Sequence, residues 1–256
     1  MKITRIRLDS EQLPLSFDGF TVMFISDFQF DTRKKFNSKM MEKVISKANE
    51  QNADLLILGG DYINRELFRE EFFALLETLY IPPSGGYAVQ GNHDYLNAAA
   101  TVTRLEELGY SVLQNGHGEV QKEEGDAIHI AGVTDLWFGK PDFSAALEGL
   151  TEEDFTIFIT HNPDFFIDAT DMEEKKLTDI AFAGHTHAGL VTFFGLFGVS
   201  PISPKNNLTY RYGLKSAGGV PLYITSGVGG SAFGQFIRFF ARPEIVLLEL
   251  KQIGSD

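Results

Sequence analysis

Five apolar runs in this chain each stop at a polar residue able to bind a metal, and no other feature constrains the fold as much. Asp54-Leu55-Leu56-Ile57-Leu58 leads to Gly60-Asp61, and Tyr87-Ala88-Val89-Gln90 leads to Gly91-Asn92-His93-Asp94. Ile180-Ala181-Phe182-Ala183 leads to Gly184-His185-Thr186-His187, residues 20–25 end at Ser26-Asp27, and residues 155–160 end at His161. Short, nearly continuous apolar runs suit strands buried on both faces. In open α/β sheets, functional residues gather beyond the carboxyl ends of such strands. Any one of these segments alone reads equally well as a turn or a helix cap. Five in this order are hard to explain as turns. Carboxylate, amide and imidazole donors converging on one sheet edge are what a cluster of divalent metals needs.

Helical patterns separate the first three runs. Asn37 is placed to cap a helix in which Met40, Met41, Val44, Ile45 and Ala48 recur at helical spacing. A second helix carries Phe68, Phe72, Leu75, Leu76 and Leu79 on one face, and Pro82-Pro83-Ser84-Gly85-Gly86 stops it. A third follows Asp94, with Leu105 and Leu108 inward. From Ser111 to Val133 the rhythm changes to short alternating strands, with hairpin signals at Asn115-Gly116 and Glu124-Gly125-Asp126. Later strands are expected over 155–160, 179–183, 222–225 and 245–250. A βαβαβ half followed by strand-rich sequence suggests two packed sheets with helices outside. No composition shift, linker or repeat divides residues 1–256, so one domain is expected.

Composition narrows the partners. The formal net charge of −13 disfavours broad nucleic-acid binding, because no basic face would follow a phosphate backbone. It leaves room for one small phosphate ligand, since bound metals reverse the local field. The absence of cysteine excludes disulfides, zinc–thiolate sites and thiol nucleophiles. The first residues lack the apolar stretch and cleavage site of a signal peptide, and no run of about 18 apolar residues would span a bilayer. The expected location is the cytoplasm, with peripheral membrane contact as a variant.

The ordered set Asp27, Gly60-Asp61, Gly91-Asn92-His93-Asp94, His161 and Gly184-His185-Thr186-His187 resembles the calcineurin-like metallophosphoesterase superfamily. The likeness runs from about residue 20 to 250. Tyr210-Arg211-Tyr212-Gly213, the segment 222–227 and Arg242-Pro243-Glu244-Ile245 resemble a bacterial branch with membrane-associated members. The resemblance implies an α/β fold, a four-layer αββα sandwich of two mixed sheets flanked by helices. It implies two divalent metal ions (Mn²⁺, Fe²⁺/³⁺ or Zn²⁺) sharing Asp61. Asp27 and His187 would complete one site, and Asn92, His161 and His185 the other. It also implies His93 as general acid, oriented by Asp94. Hydroxide bridging the metals would attack a phosphomonoester, phosphodiester or pyrophosphate. One departure stands out: where the family has Asp-x-His, this chain has Asp27-Phe28-Gln29. Gln29 offers a carbonyl oxygen but no imidazole, as a weaker metal ligand or as a partner of a metal-bound water.

Other residues support smaller expectations. Asn64 and Arg65 follow Asp61 closely enough to reach a substrate phosphate. His117 and His129 read as structural or exposed. Trp137, Phe138 and Lys140-Pro141 read as a buried aromatic corner rather than a pocket lining. The phenylalanines of 193–197 and 233–240, with Arg238 and Arg242, would suit a lipid-like substrate or membrane surface if exposed. Two rival readings follow: a hydrolase of a lipid-linked pyrophosphate such as a UDP-glycolipid, and a metal-binding scaffold with little turnover.

Overall fold

The computed structural model describes residues 1–31, 36–122, 125–169, 173–189, 191–193, 197–199, 209–229 and 242–254. The chain opens with strand β1 (Lys2–Ser10), strand β2 (Thr21–Ile25), helix α1 (Ser38–Asn49), strand β3 (Leu55–Leu58) and helix α2 (Arg69–Leu76). Strand β4 (Gly86–Ala88), helix α3 (Ala98–Glu107) and strand β5 (Tyr110–Val112) follow. Next come β6 (Gly116–Gln121), β7 (Ala127–Gly132), helix α4 (Phe143–Ala146), β8 (Thr156–Ile159), helix α5 (Pro163–Asp168) and β9 (Ile180–Ala183). The antiparallel pair β10 (Val191–Phe193) and β11 (Phe197–Val199) precedes β12 (Gly213–Ala217), β13 (Val220–Ile224) and β14 (Glu244–Gln252).

These strands make two mixed six-stranded sheets, in the orders β1-β14-β2-β3-β4-β5 and β12-β13-β9-β8-β7-β6. Period-two alternation builds the layers. On β2, Val22 and Phe24 face the other sheet, while Met23 and Ile25 face the helices. Phe24 meets Phe182 of the second sheet with ring centroids 4.9 Å apart. The outer face of the first sheet packs on Met41, Val44, Ile45 and Ala48 of α1, Phe72 and Phe73 of α2, and Leu105 of α3. The outer face of the second packs on Phe143 of α4 and Phe166 of α5. The layer order is therefore helices, sheet, sheet, helices, as the resemblance implied. Asn37 caps α1, its side-chain oxygen accepting from the Met40 amide.

One local expectation changes, and one strand was not foreseen. Asn115-Gly116 is not a hairpin turn: β5 ends the first sheet and β6 begins the edge of the second, so the dipeptide crosses between sheets. Asn115 does take a left-handed φ of 59°, but its side chain serves a loop across the gap, accepting from the amides of Thr134 and Asp142. The first strand, β1, was not legible and pairs in parallel with β14 at the far end of the chain. Among the described residues no helix is long and apolar enough to cross a membrane. The phenylalanines of 233–240, Phe194 and Arg238 lie outside the described residues.

Candidate metal centre

The parallel strands β2, β3, β4, β8 and β9 deliver their carboxyl ends to one rim, and the two sheets meet there. Asp27 Oδ1 and Oδ2 accept from the backbone N–H of His185 at 3.0 and 3.2 Å, which ties the end of β2 to the end of β9. His161 Nδ1 lies 2.7 Å from the carbonyl of Gly59, so that nitrogen carries the proton and Nε2 is turned toward Asp61. Residues this close leave no room for larger neighbours. A Cβ on Gly184 would collide with Ser26 Oγ and Asp27 Oδ2, and one on Gly91 with Asp61 Oδ1 and the His161 ring.

The backbone is strained where the donors sit. Asp27, Gln29, Asp61, His185 and His187 all hold φ between 43° and 67°, a left-handed conformation that side chains other than glycine rarely adopt. Each such residue costs on the order of 1–3 kcal/mol, and this kind of strain clusters where a site must aim its side chains.

The donors fall into two groups about Asp61. One donor atom each from Asp27, Asp61 and His187 lies within 4.8 Å of the others, and all three residues are buried. On the other side, Asp61 Oδ2 is 3.4 Å from His161 Nε2. His185 Nδ1 is 2.9 Å from Asn92 Oδ1 and 3.3 Å from His161 Nε2. Two bonds of about 2.1 Å to one ion, at tetrahedral to octahedral angles, separate their ligand atoms by about 3.0–3.4 Å. The donor set and its spacing therefore fit metal ions.

Charge agrees with geometry. Burial pushes the Asp27 carboxyl up to about 6, against the pull of nearby His161. Asp61 is also opposed by burial, yet His161 and His93 hold it well below the ordinary carboxylate range. Burial disfavours the charged form of His161, but Asp61 and Asp27 outweigh it and raise the imidazole to about 10. In the metal-free protein a proton on His161 thus balances carboxylates that a cation would otherwise balance.

The remaining expected residues are placed as follows. His93 reaches over Asp61, with Nε2 3.9 Å from Oδ2 and about a third of its side chain open to solvent. Asp94 makes no hydrogen bond or ion pair with the His93 ring. Its carboxylate accepts from the backbone N–H groups of Gly91 and Asp61, both at 2.8 Å, and of Tyr62 at 2.9 Å. It therefore fixes the two loops that carry Asn92, His93 and Asp61. Gln29 turns its amide nitrogen to Asp61 Oδ2 at 3.1 Å, a contact with the shared carboxylate that the sequence did not suggest. Asn64 donates to the Gln29 carbonyl at 2.9 Å, and Arg65 pairs with Asp31 at 3.6 Å, so both serve the rim rather than a phosphate. His117 and His129 contact each other well away from the rim.

Sequence reasoning missed Glu244. It is fully buried at the start of β14, accepts from Thr225 Oγ1 and the Ser226 amide, and braces the loop that crosses Asp27. In that loop Gly229 N donates to the Asp27 carbonyl at 2.7 Å. The sequence offered it only as part of the segment Arg242-Pro243-Glu244-Ile245 and as an acidic residue opening an otherwise apolar strand, with no role attached. Trp137 and Phe138 are not a buried corner: they are 49% and 63% exposed.

The chain is similar to known proteins along most of its length. The family model for calcineurin-like phosphoesterases matches residues 20–189. The metallophosphoesterase YkuE of Bacillus subtilis is 28% identical over 257 residues, 98% of this chain and 86% of the relative. Phosphodiesterase YaeI of Escherichia coli is 28% identical over 90% of this chain and 82% of its own length. A transmembrane protein with a metallophosphoesterase domain from Danio rerio is 27% identical over 98% of this chain, which spans only 57% of that relative. The sulfate thiohydrolase SoxB of Thermus thermophilus shares the fold, with a TM-score of 0.53 at 12% identity over 85% of this chain and 53% of its own. With the family model covering the strands and loops that carry Asp27, Asp61, Asn92, His161, His185 and His187, the chain belongs to the calcineurin-like phosphoesterase family.

Proposed function

We propose that this protein hydrolyses a phosphoester with two divalent cations held on either side of Asp61. The observation that carries the reading is the double grouping of donors about one buried carboxylate: Asp27 and His187 on one side, His161, His185 and Asn92 on the other. Bound there, the cations supply positive charge for the phosphoryl oxygens and acidify water, whose pKa falls from about 15.7 to about 7 in favourable cases. The chain's residues do the rest. The strained backbone and the Gly59 carbonyl aim the imidazoles. Asp94 locks the Asp61 and Asn92 loops to each other. His93, the partly exposed imidazole over Asp61, gives its proton to the leaving oxygen.

Gln29 enters as a donor that orients Asp61. An amide turned by half a rotation would offer its oxygen to a cation from the same place. A neutral amide where the family has imidazole favours a hard ion such as Mn²⁺ at that side. YaeI carries the name phosphodiesterase, which supports a diester substrate. A scaffold without turnover would have no use for a solvent-facing His93 poised over the shared carboxylate.

The test uses metal-stripped protein loaded with Mn²⁺ and offered alkyl and nitrophenyl phosphodiesters. Turnover should return with metal. His93→Ala should lower it by about 10²–10⁴-fold for the alkyl ester, whose leaving group needs a proton, and much less for the nitrophenyl ester. Equal losses for both esters would remove His93 from the acid role.

A further inference from the structure

The open side of the metal centre carries an aromatic shelf that the chemistry above leaves unused. Trp137 stands edge-on to the His185 imidazole, with ring centroids 4.6 Å apart and planes at 88°. Phe138 stacks on Tyr95 at 6.3 Å. Tyr95 and Leu96 continue the same short helical turn that holds Asn92 and His93. Leu96, next to Tyr95 in the chain, is 65% exposed, and Trp137 and Phe138 are exposed too, so three large apolar side chains stand in water on the two segments that the Tyr95–Phe138 ring pair joins. Scattered exposed apolar residues need no explanation, but exposed rings packed against a candidate metal ligand and against the turn that carries His93 do.

The shelf is held rigid. Asp135 is buried, and its Oδ1 accepts from the amides of Trp137 and Phe138 at 2.9 and 3.0 Å. Asn115 clamps both ends of the loop, accepting from Thr134 and Asp142 and donating to the Lys140 carbonyl at 2.8 Å. Gly139 lets the loop lie against Tyr95, since a Cβ there would come within 2.6 Å of the phenol oxygen. A fixed backbone under rings with two torsions each has little left to lose on binding. Deformable aliphatic surfaces suit flexible chains, whereas flat fixed rings suit flat ligands.

Resting on the phosphoesterase reading, we propose that Trp137, Phe138, Tyr95 and Leu96 form a subsite for a planar aromatic leaving group of the phosphoester substrate. The shelf lies on the His93 side of the centre, where the departing oxygen and its substituent must emerge. Its rings offer the planar group stacking and edge contacts, and the metal centre takes the phosphoryl end.

Trp137 is the only tryptophan in the chain, so its fluorescence reports on the shelf directly. The probes are methylphosphonate, cyclohexylphosphonate and phenylphosphonate, none of which can be hydrolysed as an ester, titrated into the full chain loaded with Zn²⁺. Phenylphosphonate should change the Trp137 emission saturably and bind about tenfold tighter than methylphosphonate, the scale of one ring stacked on aromatic side chains. It should also bind several-fold tighter than cyclohexylphosphonate. By calorimetry, Trp137→Ala and Phe138→Ala should bring the ratio of phenylphosphonate to methylphosphonate affinity close to one, while Trp137→Phe should keep part of the preference. Equal affinity for methyl and phenyl compounds overturns the shelf and leaves the metal centre standing. Equal affinity for cyclohexyl and phenyl overturns the claim of planarity. Failure of methylphosphonate itself to bind the loaded protein overturns the phosphoesterase reading, and the shelf with it.

Discussion

Two buried carboxylate sites in this molecule are solved in opposite ways. Glu244 accepts from the hydroxyls of Tyr212 at 2.7 Å and Tyr223 at 3.1 Å, from Thr4 and Thr225, from the Ser226 amide, and from the Lys2 ammonium at 3.5 Å. Those partners are fixed donors that cannot trade places with a metal. Asp27 and Asp61 sit among the imidazoles of His161, His185, His187 and His93, which exchange an N–H for a lone pair. Around Glu244 the described backbone is free of left-handed strain, whereas four of the residues about Asp61 carry it along with Asp61 itself. A buried charge satisfied by fixed donors holds a loop. A buried charge facing titratable donors on a strained backbone is poised to hold a cation.

The largest expected effect separates the two at once. Asp61→Asn should lower Mn²⁺-dependent turnover by roughly a thousandfold or more, because the shared charge is lost. Glu244→Gln should leave turnover per folded molecule within about threefold and lower stability by about 1–3 kcal/mol, since the Ser226 amide and Lys2 cannot reverse their polarity. Comparable losses of turnover in both variants would break the contrast.

A smaller effect concerns the metal-free fold. The Asp27 carboxyl is raised in the folded protein, so its ionised form costs stability above about pH 6, and that cost disappears as pH falls toward 4. Asp27→Asn should therefore raise metal-free stability at pH 7.5 by about 1–2 kcal/mol, the reverse of Glu244→Gln. The same variant should lose the stabilisation that Mn²⁺ gives the natural protein. Thermal melts with and without Mn²⁺ check both statements.

The smallest effect lies at the other end of β9. Asp179 precedes the strand whose far end carries His185 and His187. Burial raises its carboxyl to about 6 against the pull of the Thr156 amide and Ser10. Here too the folded state holds its proton more tightly than the unfolded one, so this group's contribution to stability declines as pH rises from about 4 to about 6. Asp179→Asn should flatten that decline by about 1 kcal/mol in denaturant titrations and leave Mn²⁺ affinity unchanged. A change in metal affinity would mean that the two ends of the strand are coupled.

Much of the site was legible because its donors follow fully buried strands. The runs before Asp61 and Gly184-His185 are apolar throughout, and a polar residue breaking such a run marks the rim. The α1 cap at Asn37 was legible for a similar local reason. β1 was not, since its outward residues are charged and its partner β14 lies more than two hundred residues away. Asn115-Gly116 has the chemistry of a tight turn, yet the next strand joins the other sheet, a choice made by long-range packing. The three amides held by Asp94, the Gln29 contact with Asp61 and the Glu244 network all join segments distant in sequence. The apolar character of Trp137 and Phe138 suggested burial, but the hydrogen bonds of Asp135 and Asn115 hold them outward.

The central claim is that two cations share the carboxylate of Asp61. Titrating metal-stripped protein with Mn²⁺ under electron paramagnetic resonance tests it directly. Two ions per chain with a spin-coupled spectrum, reduced to uncoupled Mn²⁺ by Asp61→Asn, are the predicted result. A single uncoupled ion at saturation, or a coupled spectrum that survives Asp61→Asn, would contradict it.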